Sequence, residues 1–168
     1  MFLHSMNFKT WLSENSLLDE SVVIEPYKYK DKTLDRIPKD DYEAIKKIAL
    51  DGGWYPMSNK KVAYVARNDE DNKIVGMLLY SIKQIEGSDH TPVYDYDVAV
   101  EKEHRGSGLL GIKLIRKAEE YKKELEKVYG KMDTEVEVIN PKLFKLLQSP
   151  QFGYKPVGSN GMPLLTKN

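Results

Sequence analysis

Hydrophobic and polar residues recur along this chain with two different periods, and the two periods predict strands and helices. Over 133–139 apolar and polar side chains alternate, which is typical of a strand with one buried face. Runs of β-branched and aromatic residues between polar or glycine-containing turns predict the remaining strands. Strands are predicted over 21–30, 61–67, 73–85, 92–100, 133–139, 152–157 and 162–166, the last two as a closing hairpin.

Three other segments carry apolar residues at spacings of three and four, which predicts helices with one buried face. They cover 35–50, 108–128 and a short stretch that begins at Pro141. The buried face of the long helix is predicted to comprise Leu110, Leu114, Ala118, Tyr121 and Leu125. Gly52 and Gly53 suit the end of the first helix, and Asn140 suits the N-cap of the third.

The stretch 98–115 joins an apolar strand to the long helix through a glycine-containing turn. The first N–H groups of a helix have no partner within it, and the helix dipole adds partial positive charge there. Glycines let an anion approach the backbone without a Cβ in the way. The sequence therefore predicts an anion site, of the kind that binds phosphate, over 105–111.

The position of this turn excludes two common phosphate-binding folds. A Rossmann domain has its glycine turn early, in an alternation of strands and helices, whereas here the turn follows four predicted strands. A P-loop needs a Lys-Ser or Lys-Thr pair directly after the glycines, and none stands there.

The residues of the turn have the spacing of a known signature. Val98-Ala99-Val100, followed by Arg105-Gly106 and Gly108, resembles the acetyl-CoA motif of the GCN5-related N-acetyltransferase (GNAT) superfamily. The predicted element order over 21–166 resembles that superfamily, as do Ile74-Val75-Gly76 and the segment from Glu135 to Tyr154. The resemblance implies an α+β GNAT fold, with a twisted, mostly antiparallel sheet of six to seven strands and about four helices.

The same resemblance implies acetyl-CoA as the cofactor and assigns residues to it. Val98, Ala99 and Val100 would bind the pantetheine arm, and one of their N–H groups would polarise the thioester carbonyl. Asn140 and Phe144 match positions on the far side of the arm. The pyrophosphate would be bound by Arg105, Gly106, Ser107, Gly108, Leu109, Leu110 and Gly111.

One residue of the turn departs from the family pattern. Leu110 stands where the family has Gly or Ala, and Gly111 comes one residue later. Either the turn is shifted by one residue, or the pyrophosphate is held less closely.

Acetyl transfer to an amine needs a base for the amine and an acid for the thiolate. Glu135 is the first candidate base, and the rivals on the preceding strand are Tyr94, Asp95, Tyr96 and Asp97. Because side chains of a strand alternate, either the tyrosines or the aspartates face the pocket.

The general acid is a second departure from the family. Its usual tyrosine, seven residues after the asparagine, is Leu147 here, and Tyr154 is the candidate that could replace it. Bound water is the remaining alternative.

Composition narrows the remaining choices. Lys plus Arg and Asp plus Glu number 26 each, a balance that argues against a dedicated nucleic-acid binder. The chain has no cysteine, and its three histidines are scattered, so we expect no disulfide and no metal site. No apolar run is long enough to span a membrane, and we expect a cytoplasmic protein.

The 168 residues favour a helical arm over 1–20 followed by one domain over 21–168. Met6-Asn7-Phe8-Lys9, with Trp11-Leu12 and Glu14, resembles the short N-terminal segments of T4-like phage proteins.

The resemblance to the GNAT superfamily implies an enzyme that moves the acetyl group of acetyl-CoA directly to a primary amine. The acceptor would be a small molecule, a peptide or a protein, bound by the segments 52–60 and 157–162. The alternative is an inactive GNAT fold that binds CoA or a partner. A phage accessory protein is a third interpretation, and it is compatible with either of the first two. We leave open whether the chain forms a homodimer.

Overall fold

The computed structural model describes residues 21–84, 90–105, 108–138, 141–157 and 164–167. These residues form a seven-stranded sheet with the strand order β1-β2-β3-β4-β5-β7-β6. Only the pairing of β4 with β5 is parallel within this sheet. The predicted α+β class and mostly antiparallel sheet are confirmed. The strands are β1 (Val22–Pro26), β2 (Lys61–Asn68), β3 (Ile74–Lys83), β4 (Val93–Val100), β5 (Asp133–Glu137), β6 (Lys155–Pro156) and β7 (Leu164–Lys167).

The described residues contain three α-helices and one short 3₁₀ turn (Lys102–His104). The helices are α1 (Lys39–Asp51), α2 (Leu109–Tyr129) and α3 (Pro141–Leu147). Gly52 follows α1, as the sequence predicts, and Gly130, with φ of 78°, follows α2. The predicted arm over 1–20 and the turn of the predicted closing hairpin, 158–161, lie outside the described residues.

The first predicted strand is shorter than its apolar pattern suggests. The pattern continues to residue 30, but β1 ends at Pro26. The chain then leaves the sheet and covers the core beside α1, where Tyr27, Leu34 and Ile37 are buried. The hydroxyl of Tyr27 donates a hydrogen bond of 2.6 Å to Asp41, which ties this segment to α1.

Alternate residues of β4 point into different layers of the molecule. Tyr94 and Tyr96 belong to the core under α2. Ala99 belongs to the core on the opposite face of the sheet, together with Ile45 of α1 and Met77 of β3. The alternation places Asp95 and Asp97 on the α1 face as well.

Strands β4 and β5 part soon after they meet. Their pairing runs from Val93 with Asp133 to Asp95 with Glu135, whereas β4 itself continues to Val100. On its other side β4 pairs with β3 through to Val100. A gap therefore opens through the sheet beside the second half of β4, and the described part of the candidate site is built around this gap.

Candidate active site

A cleft of about 1710 Å³ runs through the gap between β4 and β5. At one end it reaches Arg105, Gly108 and Gly111, and at the other end it reaches the loop that follows α1. The cleft therefore connects the predicted anion site on one face of the sheet with the acidic edge of β4 and β5 on the other.

The N-terminus of α2 has the backbone geometry of an anion site. Gly108 directly precedes the helix with φ of 74°, a conformation that favours glycine, and a Cβ there would meet nothing within 4 Å. Its N–H donates to the carbonyl of Arg105 at 2.8 Å. The Arg105 Nε donates to the carbonyl of Val100 at 2.7 Å, which fixes the turn against the end of β4. Gly106 and Ser107 lie outside the described residues.

The structure separates the two residues at which the sequence departs from the family pattern. Leu110 is 1% exposed and packs in the core under α2, and Leu109 is fully buried. Gly111 lines the cleft, and a Cβ built there would meet only Val100, at 4.0 Å. Of these two residues, Gly111 and not Leu110 lines the cleft. How closely the turn holds a pyrophosphate stays a prediction.

Val98, Ala99 and Val100 line the cleft along the edge of β4 that β5 does not reach. Their other edge pairs with β3. Asn140 lies outside the described residues, and Phe144 packs beside the core under α2, while Leu143 and Leu146 of α3 line the cleft.

Four carboxylates of β4 and β5 line the α1 side of the cleft, where the two strands part. They belong to alternate residues of the two strands, and two lysines lie among them. The Lys60 Nζ is 3.0 Å from Asp95 and 3.0 Å from Asp97. The Lys83 Nζ is 3.3 Å from Asp95 and 3.5 Å from Glu135. We call this group the acidic cluster, and its members are Asp95, Asp97, Glu135, Glu137, Lys60 and Lys83.

Residues of both parities of β4 line the cleft, from opposite faces of the sheet. Asp95 and Asp97 lie on the α1 side beside Glu135, whereas Tyr96 lines the cleft from the core under α2. Burial raises the pKa of Asp97, although Lys60 lowers it. For Lys83 burial opposes the charge, but the charges of Asp95 and Glu135 outweigh burial and raise its pKa.

Tyr96 and Tyr154 meet on the other face of the sheet. Their hydroxyl groups share a hydrogen bond of 2.7 Å, and the two residues are 0% and 2% exposed. Burial raises the pKa of both. Tyr96 also contributes to the cleft wall just beyond the last pair of β4 with β5. A catalytic role for this pair stays a prediction. Leu147, at the position of the family's usual tyrosine, is fully buried.

An aromatic loop forms the outer wall of the cleft next to the acidic cluster. Trp54, Tyr55 and Met57 line it, and Tyr55 and Met57 are 61% and 63% exposed. Part of the segment 52–60 therefore borders the cleft, whereas most of 157–162 lies outside the described residues. Binding of the acceptor by these segments stays a prediction.

Reasoning from the sequence did not single out Lys60, Lys83 or Glu137. Two signals pointed to a cluster: the carboxylates recur at every second residue, at Asp95 and Asp97 and again at Glu135 and Glu137. The lysines carry no such pattern, because Lys60 precedes β2 and Lys83 ends β3.

The described residues contain no group of three or more His, Cys, Asp or Glu side chains arranged to hold a metal ion. Among the same residues, no helix is both long and apolar enough to cross a membrane.

The chain is similar to one protein family and to many proteins of known structure, three of which are described below. A family profile described as "Acetyltransferase (GNAT) family" matches residues 26–151. No curated protein sequence matches the chain significantly. The structure of AtaTR bound with acetyl-CoA is 13% identical, with a TM-score of 0.55 over 88% of this chain and 94% of that one.

AtaT complexed with acetyl-methionyl-tRNAfMet is 13% identical, with a TM-score of 0.53 over 87% of this chain and 94% of that one. The NatC complex bound to Gag peptide and CoA is 16% identical, with a TM-score of 0.59 over 87% and 96%. At these identities the likeness shows the fold.

Proposed function

Because this chain belongs to the GNAT acetyltransferase family, we propose that it moves the acetyl group of acetyl-CoA directly to a primary amine bound at the acidic cluster. It is an N-acetyltransferase, and acetyl-CoA is its cofactor. The observation that carries the proposal is the single cleft that joins the N-terminus of α2 to the four carboxylates where β4 and β5 part.

The residues along the cleft fit acetyl-CoA. The N–H groups of the first turn of α2 and the side chain of Arg105 would hold the pyrophosphate. The edge of β4 at Val98, Ala99 and Val100 is left free by β5 for the pantetheine arm. Gly108 and Gly111 leave room for a phosphate to approach the backbone. When bound, acetyl-CoA supplies an acetyl group activated as a thioester.

The acidic cluster would bind the acceptor as an ammonium ion and then take its proton. Asp95 and Glu135 already bridge one alkylammonium group, that of Lys83. A carboxylate that accepts the amine's proton frees the nitrogen lone pair for attack. Glu135 remains our first candidate for this base, and Asp97, with its raised pKa, is the second.

The proton donor to the leaving thiolate is assigned to Tyr96 with Tyr154 behind it. Two features support this role: the position of Tyr96 on the cleft wall, and the hydrogen bond between the two hydroxyl groups. The bound arm would pass between the tyrosine pair and the acidic cluster, because they lie on opposite faces of the sheet.

A second candidate function is an inactive GNAT fold that binds CoA or a partner. One observation favours it: Leu147 fills the position of the family's usual tyrosine and is fully buried.

Two measurements on the full chain separate these functions. Acetyl-CoA should raise the melting temperature, and CoA thiol should be released when primary amines are added as a panel of polyamines, lysine-containing peptides and free amino-terminal peptides. A thermal shift without thiol release on any amine supports the inactive fold. The absence of a thermal shift would contradict both candidates.

Three further proposals come from the sequence alone. We place the protein in the cytoplasm, and we divide it into an arm over 1–20 and a domain over 21–168. The arm's likeness to phage proteins supports an accessory role in infected cells. Size-exclusion chromatography with light scattering tests whether it forms the homodimer that the sequence leaves open.

A further inference from the structure

We propose that Lys83 is an acceptor of the enzyme's own reaction, so that the protein acetylates itself at the Nζ of this residue. The inference rests on the proposed function, because the same cleft and the same carboxylates would serve both acceptors.

Lys83 lies at the point where β4 and β5 part, which is where the acetyl group would meet the acceptor. Its Nζ contacts Asp95 at 3.3 Å and Glu135 at 3.5 Å. These two carboxylates belong to the last residues at which β4 and β5 still pair. Lys83 lines the cleft with them. A primary amine is therefore already held by the carboxylates to which we assign binding of the acceptor and removal of its proton.

The two lysines of the acidic cluster differ in their freedom to react. The side chain of Lys60 is 8% exposed, and that of Lys83 is 56% exposed. Lys60 is also fixed through its backbone, because its N–H donates to Met57 and its carbonyl accepts from Leu34. Lys60 neutralises Asp95 and Asp97 from a buried position, whereas Lys83 can turn its amine toward the thioester at little cost.

The reaction at Lys83 balances with acetyl-CoA as the only co-reactant. The ammonium gives one proton to the carboxylate of Glu135 or Asp95. The freed nitrogen lone pair forms the N–C bond to the acyl carbon, the C–S bond breaks, and the thiolate leaves and is protonated. The net products are an acetyl-amide on Lys83, CoA thiol and one proton released to solvent. The acidic cluster thereby loses one of its two positive charges.

The test is peptide mass spectrometry after incubation of the full chain with acetyl-CoA alone. Lys73 is the internal reference, because it is exposed in the turn between β2 and β3, far along β3 from Lys83. Acetylation of Lys83 should be at least roughly tenfold faster than that of Lys73, since the fold holds the two reacting groups together. The rate should not depend on protein concentration, and the preference should vanish in urea.

Lys83→Arg keeps the positive charge beside Asp95 and Glu135 and should remove the label from that peptide, while Lys73→Arg should leave it unchanged. A second readout does not use the enzyme's activity: bound CoA should slow the labelling of Lys83, but not of Lys73, by an acetyl N-hydroxysuccinimide ester. Equal labelling of Lys83 and Lys73 by acetyl-CoA would overturn the inference.

The amine panel distinguishes this failure from failure of the proposed function. Thiol release with added amines, together with an unlabelled Lys83, refutes self-acetylation alone. An unlabelled Lys83 and no release with any amine refute both.

Discussion

Asp97 and Glu135 lie in one acidic cluster but in different surroundings. Asp97 contacts the buried amine of Lys60 at 3.0 Å, and its pKa is nevertheless raised by burial, with Asp95 and Glu137 adding to the increase. Glu135 contacts the exposed Lys83 at 3.5 Å. A carboxylate with a raised pKa accepts a proton more readily, so these surroundings bear on which residue acts as the base.

Replacing the base should lower turnover while acetyl-CoA still binds. If Glu135 is the base, Glu135→Gln should reduce kcat by about 10²- to 10⁴-fold, the usual contribution of general-base catalysis. Activity is lost as the pH falls through the raised pKa of Asp97, because its protonation removes a negative charge from the cluster. The matched variant Asp97→Asn lacks this negative charge at every pH, so it should keep only the activity that the unchanged protein has below the pKa of Asp97, a smaller loss than in Glu135→Gln.

The acid limb of kcat/KM should therefore lie above the range of an ordinary aspartate, and Asp97→Asn should move it to lower pH. Steady-state kinetics of each variant, measured from about pH 4 to about pH 9, gives both effects. A large loss in Asp97→Asn with little change in Glu135→Gln would assign the base to Asp97 instead.

At the N-terminal turn of α2, the position expected for a small residue differs from the position that the structure shows. The family pattern aligned by spacing puts Leu110 at the position of a small residue. In the folded chain Leu110 turns into the core and Gly111 faces the cleft. The helical period explains the difference, because adjacent residues of a helix lie about 100° apart, so that Leu110 and Gly111 point in different directions.

A bulkier residue at Gly111 should block the cofactor without harming the fold. Gly111→Ala should retain acetyl-CoA binding and raise the free energy of unfolding by roughly 0.5–1 kcal/mol, since alanine favours the helix over glycine. Gly111→Leu places its side chain in the cleft and should weaken acetyl-CoA binding at least roughly tenfold, about 1.4 kcal/mol. Isothermal titration calorimetry and urea unfolding measure the two quantities. Equal affinity in both variants would show that the cofactor does not pass Gly111.

The elements themselves follow from the sequence because each depends on local patterning. The period of three and four in α2 and the alternation in β5 fix their faces, and both elements end within a few residues of the prediction. The choice between the tyrosines and aspartates of β4 does not follow, because it depends on which helix covers which face. The approach of Lys60 and Lys83 to the carboxylates depends on the pairing of strands far apart in the chain, which local patterns do not encode.

At the scale of the whole molecule, the described residues form one sheet in two parts, which the short pairing of β4 with β5 joins. Strand β4 pairs with β3 along its full length, but it pairs with β5 only from Val93 to Asp95. Beyond that point the described residues leave the cleft between the two parts. Within the sheet, β5 is therefore joined to β4 by a shorter backbone pairing than β3 is. A ligand in the cleft would contact both parts of the sheet.

Hydrogen exchange should show this difference and its removal by the cofactor. Without ligand, amides of β5 and β7 should exchange faster than those of β2 and β3, because only three residue pairs join β5 to β4 in the sheet, whereas β3 pairs with β4 along the whole length of β4. Acetyl-CoA at about a hundred times its Kd stabilises the folded protein relative to forms that cannot bind it by about 2.7 kcal/mol, and it should slow exchange in both parts of the sheet. The slowing should be larger in β5 and along the Val98–Val100 edge of β4 than in β1, which lies at the far edge of the sheet. Protection confined to α2 would mean that the cofactor binds at the anion site alone and does not bridge the gap.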